Sequence, residues 1–523
     1  DAYGWTVGNH GDRVTVRYKI YGDLVDGTYL AIDTTHAHIN MPAAVMWARG
    51  LDDRASRLTF IPPSGATWQV ATQLHRGSGP FELTAPNLGY LMDSPVEFGP
   101  LAIRQFRVGP RQFRFAVHHR GSDAELDDFL KDVEKIVRQE GMVFGEFPDF
   151  EPGYYTFLAD YLPYVNADGM EHRNSTVMTE AGTIAKDREQ LLDIVAHEFF
   201  HCWNVERIRP QGLEPFDFER ANMTDSLWLA EGFTQYYGPL MLQRAGLVNL
   251  TETANTIAGL VNTVELSPAH DLRSAVEMSR MAPFIDGGRG NDRTNWARTV
   301  ISYYPFGGAI ALALDLTLRQ RSDGRVTLDD FMRAMWRTYG KPGGGREGYV
   351  DHPYSLADAE ARLAEVSGDP RFAREFFSRY IEGHELADYS RLLAAAGFVV
   401  KKADPGRAWL GNLLGQRDRG DVTSLVLPTW PIYAAGVEQD DDLREVDGQH
   451  VASEQELESV LRRHKPGDRV PIVFVERSGN SKSATVTLAE DPRLDVIPVE
   501  RGGTLTAGQK AFRDRWLGPQ EMK

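Results

Sequence analysis

In "DIVAHEFFHC", Asp193 to Cys202, two histidines stand four residues apart with a glutamate directly after the first. A chain of this composition produces roughly 0.03 such His-Glu-x-x-His matches by chance. The spacing constrains the fold because it is useful only on a helix. There, His197 and His201 lie one turn apart on one face and both imidazoles reach a single cation. Zinc takes two imidazoles and a carboxylate at about 2.0–2.2 Å and keeps one position open. Glu198 is turned about 100° around the helix from His197, so it can act on a water without binding the metal. The helix must also lie beside an element that brings a third ligand.

"SLWLAEGFTQYYGPLMLQ" supplies that ligand as Glu231. Its surroundings are bulky and apolar, and an unpaired carboxylate there is expensive to bury unless a metal takes it. Glu206, Glu214 and Glu219 are rival ligands, but they sit in a charged stretch better read as a solvated loop. Gly238-Pro239 predicts a kink or break in this second helix. "ISYYPFGG" places Tyr303 and Tyr304 at a turn before a helix, where a phenol can donate to a developing oxyanion. "ADGMEHRNST" sets Glu171 and His172 upstream of the motif.

The surrounding pattern switches twice. The first ~145 residues alternate apolar and polar with period two in "RVTVRYKIYG", "GTYLAIDTTHAHI", "RLTFIPPSG" and "FELTAP", which predicts an antiparallel β-domain. "DAELDDFLKDVEKIVRQEG" then takes a helical period and ends at Gly141. From Phe147, "EPGYYTFLADYLPY" and "HRNSTVMTEAG" read as strands and turns, one long helix is started by Asp187 and stopped by Pro210, and mostly helical segments follow to about Gly397. The remainder is β-rich and follows the order of a PDZ domain: a strand, an Ala-Gly turn, "DDDLREVDGQHV", one helix, and Lys465-Pro466-Gly467-Asp468 before a final strand pair. The expected organisation is multidomain α+β: a β-sandwich-like domain over 1–145, a mainly helical catalytic domain over 146–400, a PDZ-like β-domain over 405–500 and a tail over 501–523.

A chain of 523 residues with 42% hydrophobic residues buries several cores. No apolar run approaches the length of a membrane span, so no membrane insertion is expected. The net charge of −17 argues against nucleic acid and anionic membranes as partners. The single cysteine, Cys202, excludes an intramolecular disulfide and reads as packing. His36 and His38 face the same side of a predicted strand, a geometry open to metal but with no third ligand visible; the adjacent His118 and His119 point to opposite faces.

These parts, in this order, resemble the bacterial glycyl aminopeptidase family with a C-terminal PDZ domain, within the thermolysin-like gluzincin metallopeptidases. The resemblance runs through "THAHINMP", "GMEHRNST", "HEFFH", "WLAEGFTQYY", "SYYPFGG" and the PDZ-like end. It implies one catalytic zinc ion on His197, His201 and Glu231, with Glu198 as general base. It implies that Glu171, with His172 in the place of an asparagine, binds the free α-amine of a peptide. It implies that Tyr304 stabilises the transition state, with Phe306 standing where relatives have a lysine, and that N-terminal Gly or Ala is preferred. A shallow side-chain pocket would then be closed by an aromatic, with Tyr154, Tyr155 and Phe306 as candidates. Residues 202–230 separate the second histidine from Glu231, a longer spacing than in better-known relatives. Their spacing would select Arg220, which cannot be a ligand, so the "AEGF" context decides. Peptides with free N-termini are the expected substrates, and a peptide or protein is the expected ligand of the PDZ-like domain, with "WLGNLLGQ" as its candidate carboxylate loop. The start at Asp1 without a Met fits export, hence a periplasmic or secreted location.

Overall fold

The computed structural model describes residues 4–285, 295–412, 422 and 425–520. A four-stranded antiparallel sheet, in the order Leu30–Ile32, Ala37–Ile39, Val96–Gly99 and Gln69–Thr72, forms the heart of the N-terminal domain. A three-stranded sheet containing Ser56–Thr59 and Glu82–Ala85 lies in the same domain. "RVTVRYKIYG" does not become a strand: among the described residues it forms no ladder, only its last residue, Gly22, accepts a backbone hydrogen bond from Ile32, and Val14, Val16, Tyr18 and Ile20 stay exposed. Alternation marks a chain that can be a strand, but a partner is what makes it one.

The catalytic module is built on a five-stranded sheet in the order Asp168–His172, Ser175–Glu180, Tyr154–Tyr161, Arg111–His119 and Ala102–Val108. Its two edge strands run antiparallel to their neighbours, and the three central strands run parallel. The expected boundary at 145 is therefore corrected. The hairpin 102–119 alternates like the strands before it, but it pairs with Tyr154–Tyr161 and so joins the catalytic sheet. Helix Asp123–Phe144 packs on that sheet, opened by a capping box between Ser122 and Glu125 and closed by left-handed Gly145.

The motif helix spans Arg188–Phe200 and is shorter than the 187–208 its sequence suggests. His201 caps it, and the chain continues in tight turns in which Glu206 and Ile208 donate back to His201 and Trp203. The two phenylalanines inside the motif are its anchors. Phe199 packs edge-on against Phe113, Tyr155 and Trp203, and Phe200 stacks on Tyr237 at 4.5 Å. Each buried ring contributes about 1.5–3 kcal/mol, and together they fix which face of the helix the histidines occupy. Cys202 is fully buried, and burial pushes its thiol up to about 12, consistent with packing alone.

Residues Trp296–Ser322 are long and apolar enough to cross a membrane, contrary to the reading of the sequence, but 78% of their most apolar stretch is buried in the protein. The helix Tyr303–Ser322 is the core of the module.

The chain leaves this module through strand Phe398–Lys402, and strand Leu494–Pro498 returns to pair with it. Between them lies a separate core that includes Leu443, Val446, Leu457, Ile472, Phe474 and Val486, with a four-stranded sheet and helix Glu454–Leu461. Part of "WLGNLLGQ", from Leu413 on, lies outside the described residues. The expected tail over 501–523 is corrected: Ala507–Leu517 is a helix docked on the catalytic core. Trp516 is buried there and donates its indole N–H to Tyr236 Oη at 2.8 Å, and Arg513 donates to the carbonyls of Ala396 and Gly397.

Candidate metal and active site

His197 Nε2 and His201 Nε2 lie 3.1 Å apart, and both meet Glu231 Oε2, at 3.4 and 3.2 Å. Donors bound at about 2.0–2.2 Å on the corners of a tetrahedron are about 3.3–3.6 Å apart, so this trio has the span of a zinc-type ligand set. Glu231 Oε2 is buried and accepts no hydrogen bond, which leaves it to a cation. Three carboxylates, Glu171, Glu198 and Glu231, crowd His201. Burial would lower its proton affinity, yet those charges raise it well above the ordinary value. Burial opposes ionisation of Glu231, but His201 and His197 hold its carboxyl well below the usual range. The donor set is one that a cation satisfies.

Asn204, which the sequence reading did not single out, assembles the trio. Its backbone carbonyl accepts from His201 Nδ1 at 2.6 Å, which leaves Nε2 free for a metal. Its side-chain amide donates to the carbonyls of Leu229 and Ala230 and lies 3.2 Å from Thr234 Oγ1. The turn after the motif is thereby tied to the segment that carries Glu231. Nothing in the linear sequence marks Asn204 beyond its place three residues after His201.

Glu231 sits between helices Leu227–Ala230 and Gly232–Arg244. The irregularity falls there and not at Gly238-Pro239, since the second helix continues through Pro239. Gly232 meets Gly307 of the core helix so closely that a Cβ on Gly232 would lie 2.3 Å from the Gly307 Cα. This approach brings Tyr304 to the ligands. Its ring is 5.9 Å from that of His197 and stacks on Tyr303. The Glu231 charge, followed by burial, raises the phenol well above its usual value and keeps it a proton donor.

The rival glutamates are accounted for by arginines: Glu206 and Glu214 flank Arg209 at 3.3 and 3.6 Å, and Glu219 pairs with Arg49 at 2.7 Å. The long interval 202–230 is filled by turns, a short 3-10 helix at Gln211–Leu213 and a loop with its own ion pairs before helix Leu227–Ala230.

Glu198 is buried, and burial raises its carboxyl well above the usual range. It lies over the edge strand, where a Cβ on Gly169 would fall 2.0 Å from its Oε1. Gly169 is therefore the cradle of Glu198. Gly169→Ala is expected to keep metal content while lowering kcat by roughly 10²-fold, the scale of a 1 Å misplacement; unchanged kcat would show that Glu198 does not need this seat.

Two residues on from Gly169 and on the same face, Glu171 brings its carboxylate within 4.8 Å of the Glu198 and His201 donors. His172 does not join it. Successive strand residues face opposite ways, and His172 Nδ1 is held by Asp93 at 2.9 Å. Of the three pocket aromatics, Tyr155 and Phe306 are core residues, and Tyr154 is half-buried beneath the Arg114 guanidinium.

The sequence model of the M61 glycyl aminopeptidases matches residues 190–310, which hold the whole metal trio and Tyr304, and the model of the M61 N-terminal domain matches 1–100. The chain carries the catalytic and N-terminal regions of the M61 glycyl aminopeptidases. It is a metallo-aminopeptidase. A PDZ domain follows at 410–488. A crystal structure of an aminopeptidase N family protein from Idiomarina loihiensis superposes with a TM-score of 0.81 at 23% identity, covering 96% of this chain and 85% of that one, which shows a common fold. Weaker likenesses are found to aminopeptidase A of Legionella pneumophila in complex with aspartic acid (TM-score 0.42, 14% identity, 70% of this chain and 39% of that one). A mutant two-domain M1 zinc metallopeptidase bound to L-arginine is similarly distant (0.39, 17%, 64% and 64%). No curated protein matches the chain. The M61 N-terminal match ends where the catalytic sheet begins, in keeping with the corrected boundary.

Proposed function

We propose that this M61 enzyme is a zinc-dependent aminopeptidase that removes N-terminal residues, preferentially glycine or alanine, from peptides. The observation that carries the reading is a third carboxylate, Glu171, beside a complete His197–His201–Glu231 ligand set and its base. An internal peptide segment offers that carboxylate no cation, whereas a free N-terminus offers an ammonium group. Zinc on the three ligands supplies Lewis-acid activation of water and of the scissile carbonyl. Glu198 takes the proton of the attacking water and passes it to the leaving amine. Glu171 pairs with the substrate α-ammonium and so sets how far the chain enters the cleft. The Tyr304 phenol donates to the oxyanion as it develops. The PDZ domain is assigned an extended peptide added to its sheet edge.

A comparison of glycyl-anilide with N-acetyl-glycyl-anilide tests the amine site. Loss of a charge-assisted hydrogen bond costs about 1.5–3 kcal/mol, so acetylation is expected to lower kcat/KM at least about 10- to 100-fold. Glu171→Gln should lower kcat/KM on the free substrate by a similar factor. Equal cleavage of both anilides would favour an endopeptidase of the same clan. An X-anilide series reads the small-residue preference directly.

A further inference from the structure

We propose that a second metal ion of the zinc class sits in the seam between the N-terminal sheet and the catalytic sheet, bound by His36, His118 and Asp160. It shares no ligand with the His197–His201–Glu231 trio, and it does not depend on the aminopeptidase reading.

The seam is built from two cross-strand pairs that meet. In the N-terminal sheet His38 stands opposite Glu97, and in the catalytic sheet His118 stands opposite Asp160. His36, at the entrance to strand Ala37–Ile39, reaches across between them. His36 Nε2 lies 3.4 Å from Asp160 Oδ2, and His118 Nδ1 lies 3.8 Å from Asp160 Oδ1. The two imidazole rings meet edge to face at 4.4 Å, and the three donor atoms fall within 4.8 Å of one another. His36 and Asp160 are each only 1% exposed.

Among the described residues, His36 Nε2, His118 Nδ1 and both oxygens of Asp160 have no hydrogen-bond partner. Burying a carboxylate with neither oxygen satisfied is costly, so something must meet it. Protons alone meet it poorly. Charge-assisted N–H···O bonds are about 2.7–2.9 Å long, and both separations here are well beyond that. The 3.4 Å separation is that of donors sharing one ion with bonds of about 2.0–2.2 Å, and the 3.8 Å separation is slightly wider than a regular tetrahedron gives. The tautomer agrees. Thr35 Oγ1 gives its hydrogen to Asp33 Oδ1 at 2.7 Å and stands 3.3 Å from His36 Nδ1, so it accepts the Nδ1 proton. In the neutral ring that tautomer presents the Nε2 lone pair 3.4 Å from a carboxylate oxygen, an arrangement that a cation between them resolves.

His38 is excluded as a ligand by its own bonds. Its Nε2 donates to the Asp26 carbonyl at 2.7 Å, and its Nδ1 shares a proton with Glu97 Oε1 at 2.5 Å. The His38–Glu97 pair forms the wall of the site. Two imidazoles and one carboxylate suit zinc over calcium or magnesium, which prefer oxygen donors. Ligands drawn from both sheets make the ion a clamp between the two domains.

The full chain is loaded with zinc, freed of excess by gel filtration, and its metal counted per chain; crystals of the same protein give a zinc-edge anomalous map. The expected count is two, with one anomalous peak among His36, His118 and Asp160. Glu231→Gln should retain one ion, and Asp160→Asn or His118→Gln should each lose the seam ion and keep the other. One ion per wild-type chain, with a single peak at His197, His201 and Glu231, would overturn the proposal. That wild-type result decides the matter even where a seam variant fails to fold. An Asp160→Asn protein that still binds two ions would overturn it equally.

Discussion

Glu198→Gln is expected to bind metal as the wild type does and to turn over glycyl-anilide about 10²–10⁴-fold more slowly, the contribution of a positioned general base. Glutamine has the same shape, so it keeps the seat over Gly169. The His197–His201–Glu231 trio loses nothing, because Glu198 supplies none of its three donors. What the amide cannot do is take a proton from water. Burial, together with the charges of Glu171 and Glu231, lifts the proton affinity of Glu198 well above that of an ordinary carboxylate. Metal analysis and single-turnover kinetics on one preparation check both halves. Full turnover in the glutamine variant would remove Glu198 from the mechanism.

Glu231→Gln is expected to fail differently, losing the catalytic ion and turnover together. Deleting an outer hydrogen-bond partner of a metal ligand typically costs 10–100-fold in metal affinity or activity, and removal of a ligand should exceed that. The variant also leaves His197 and His201 without the carboxylate that both face at 3.4 and 3.2 Å. Excess zinc should restore part of the activity, which distinguishes lost affinity from lost chemistry. Undiminished zinc content at this site would mean that a rival glutamate is the ligand. The geometry speaks against that, since each rival already has an arginine.

The metal set was legible in the sequence because its determinants are local. A helix places residues four apart on one face, and "AEGF" marks its glutamate by the apolar company it keeps. The spacing to Glu231 misled only a strict motif; the extra residues form a loop with its own ion pairs, which a change of length does not disturb. What the sequence concealed depends on partners far away in the chain. Alternation announced the hairpin 102–119 but not the sheet it joins. His36 showed no third ligand, because His118 and Asp160 reach it only through pairing between distant strands. Nothing in the linear sequence marks Gly169, because Glu198, which lies over it, comes from a separate helix. The helix Ala507–Leu517 read as tail because its apolar residues are few, and it docks through Trp516, Leu517 and the buried Arg513.

The central claim, that His197, His201 and Glu231 hold the ion on which peptide-bond hydrolysis depends, is met most directly by one assay. Glycyl-anilide turnover is followed as the enzyme is stripped by a chelator and zinc is then added back. The account predicts that activity falls to background on stripping and returns with zinc in the wild type, whereas Glu198→Gln takes up the ion and stays inactive. Turnover that persists in fully stripped enzyme would contradict it.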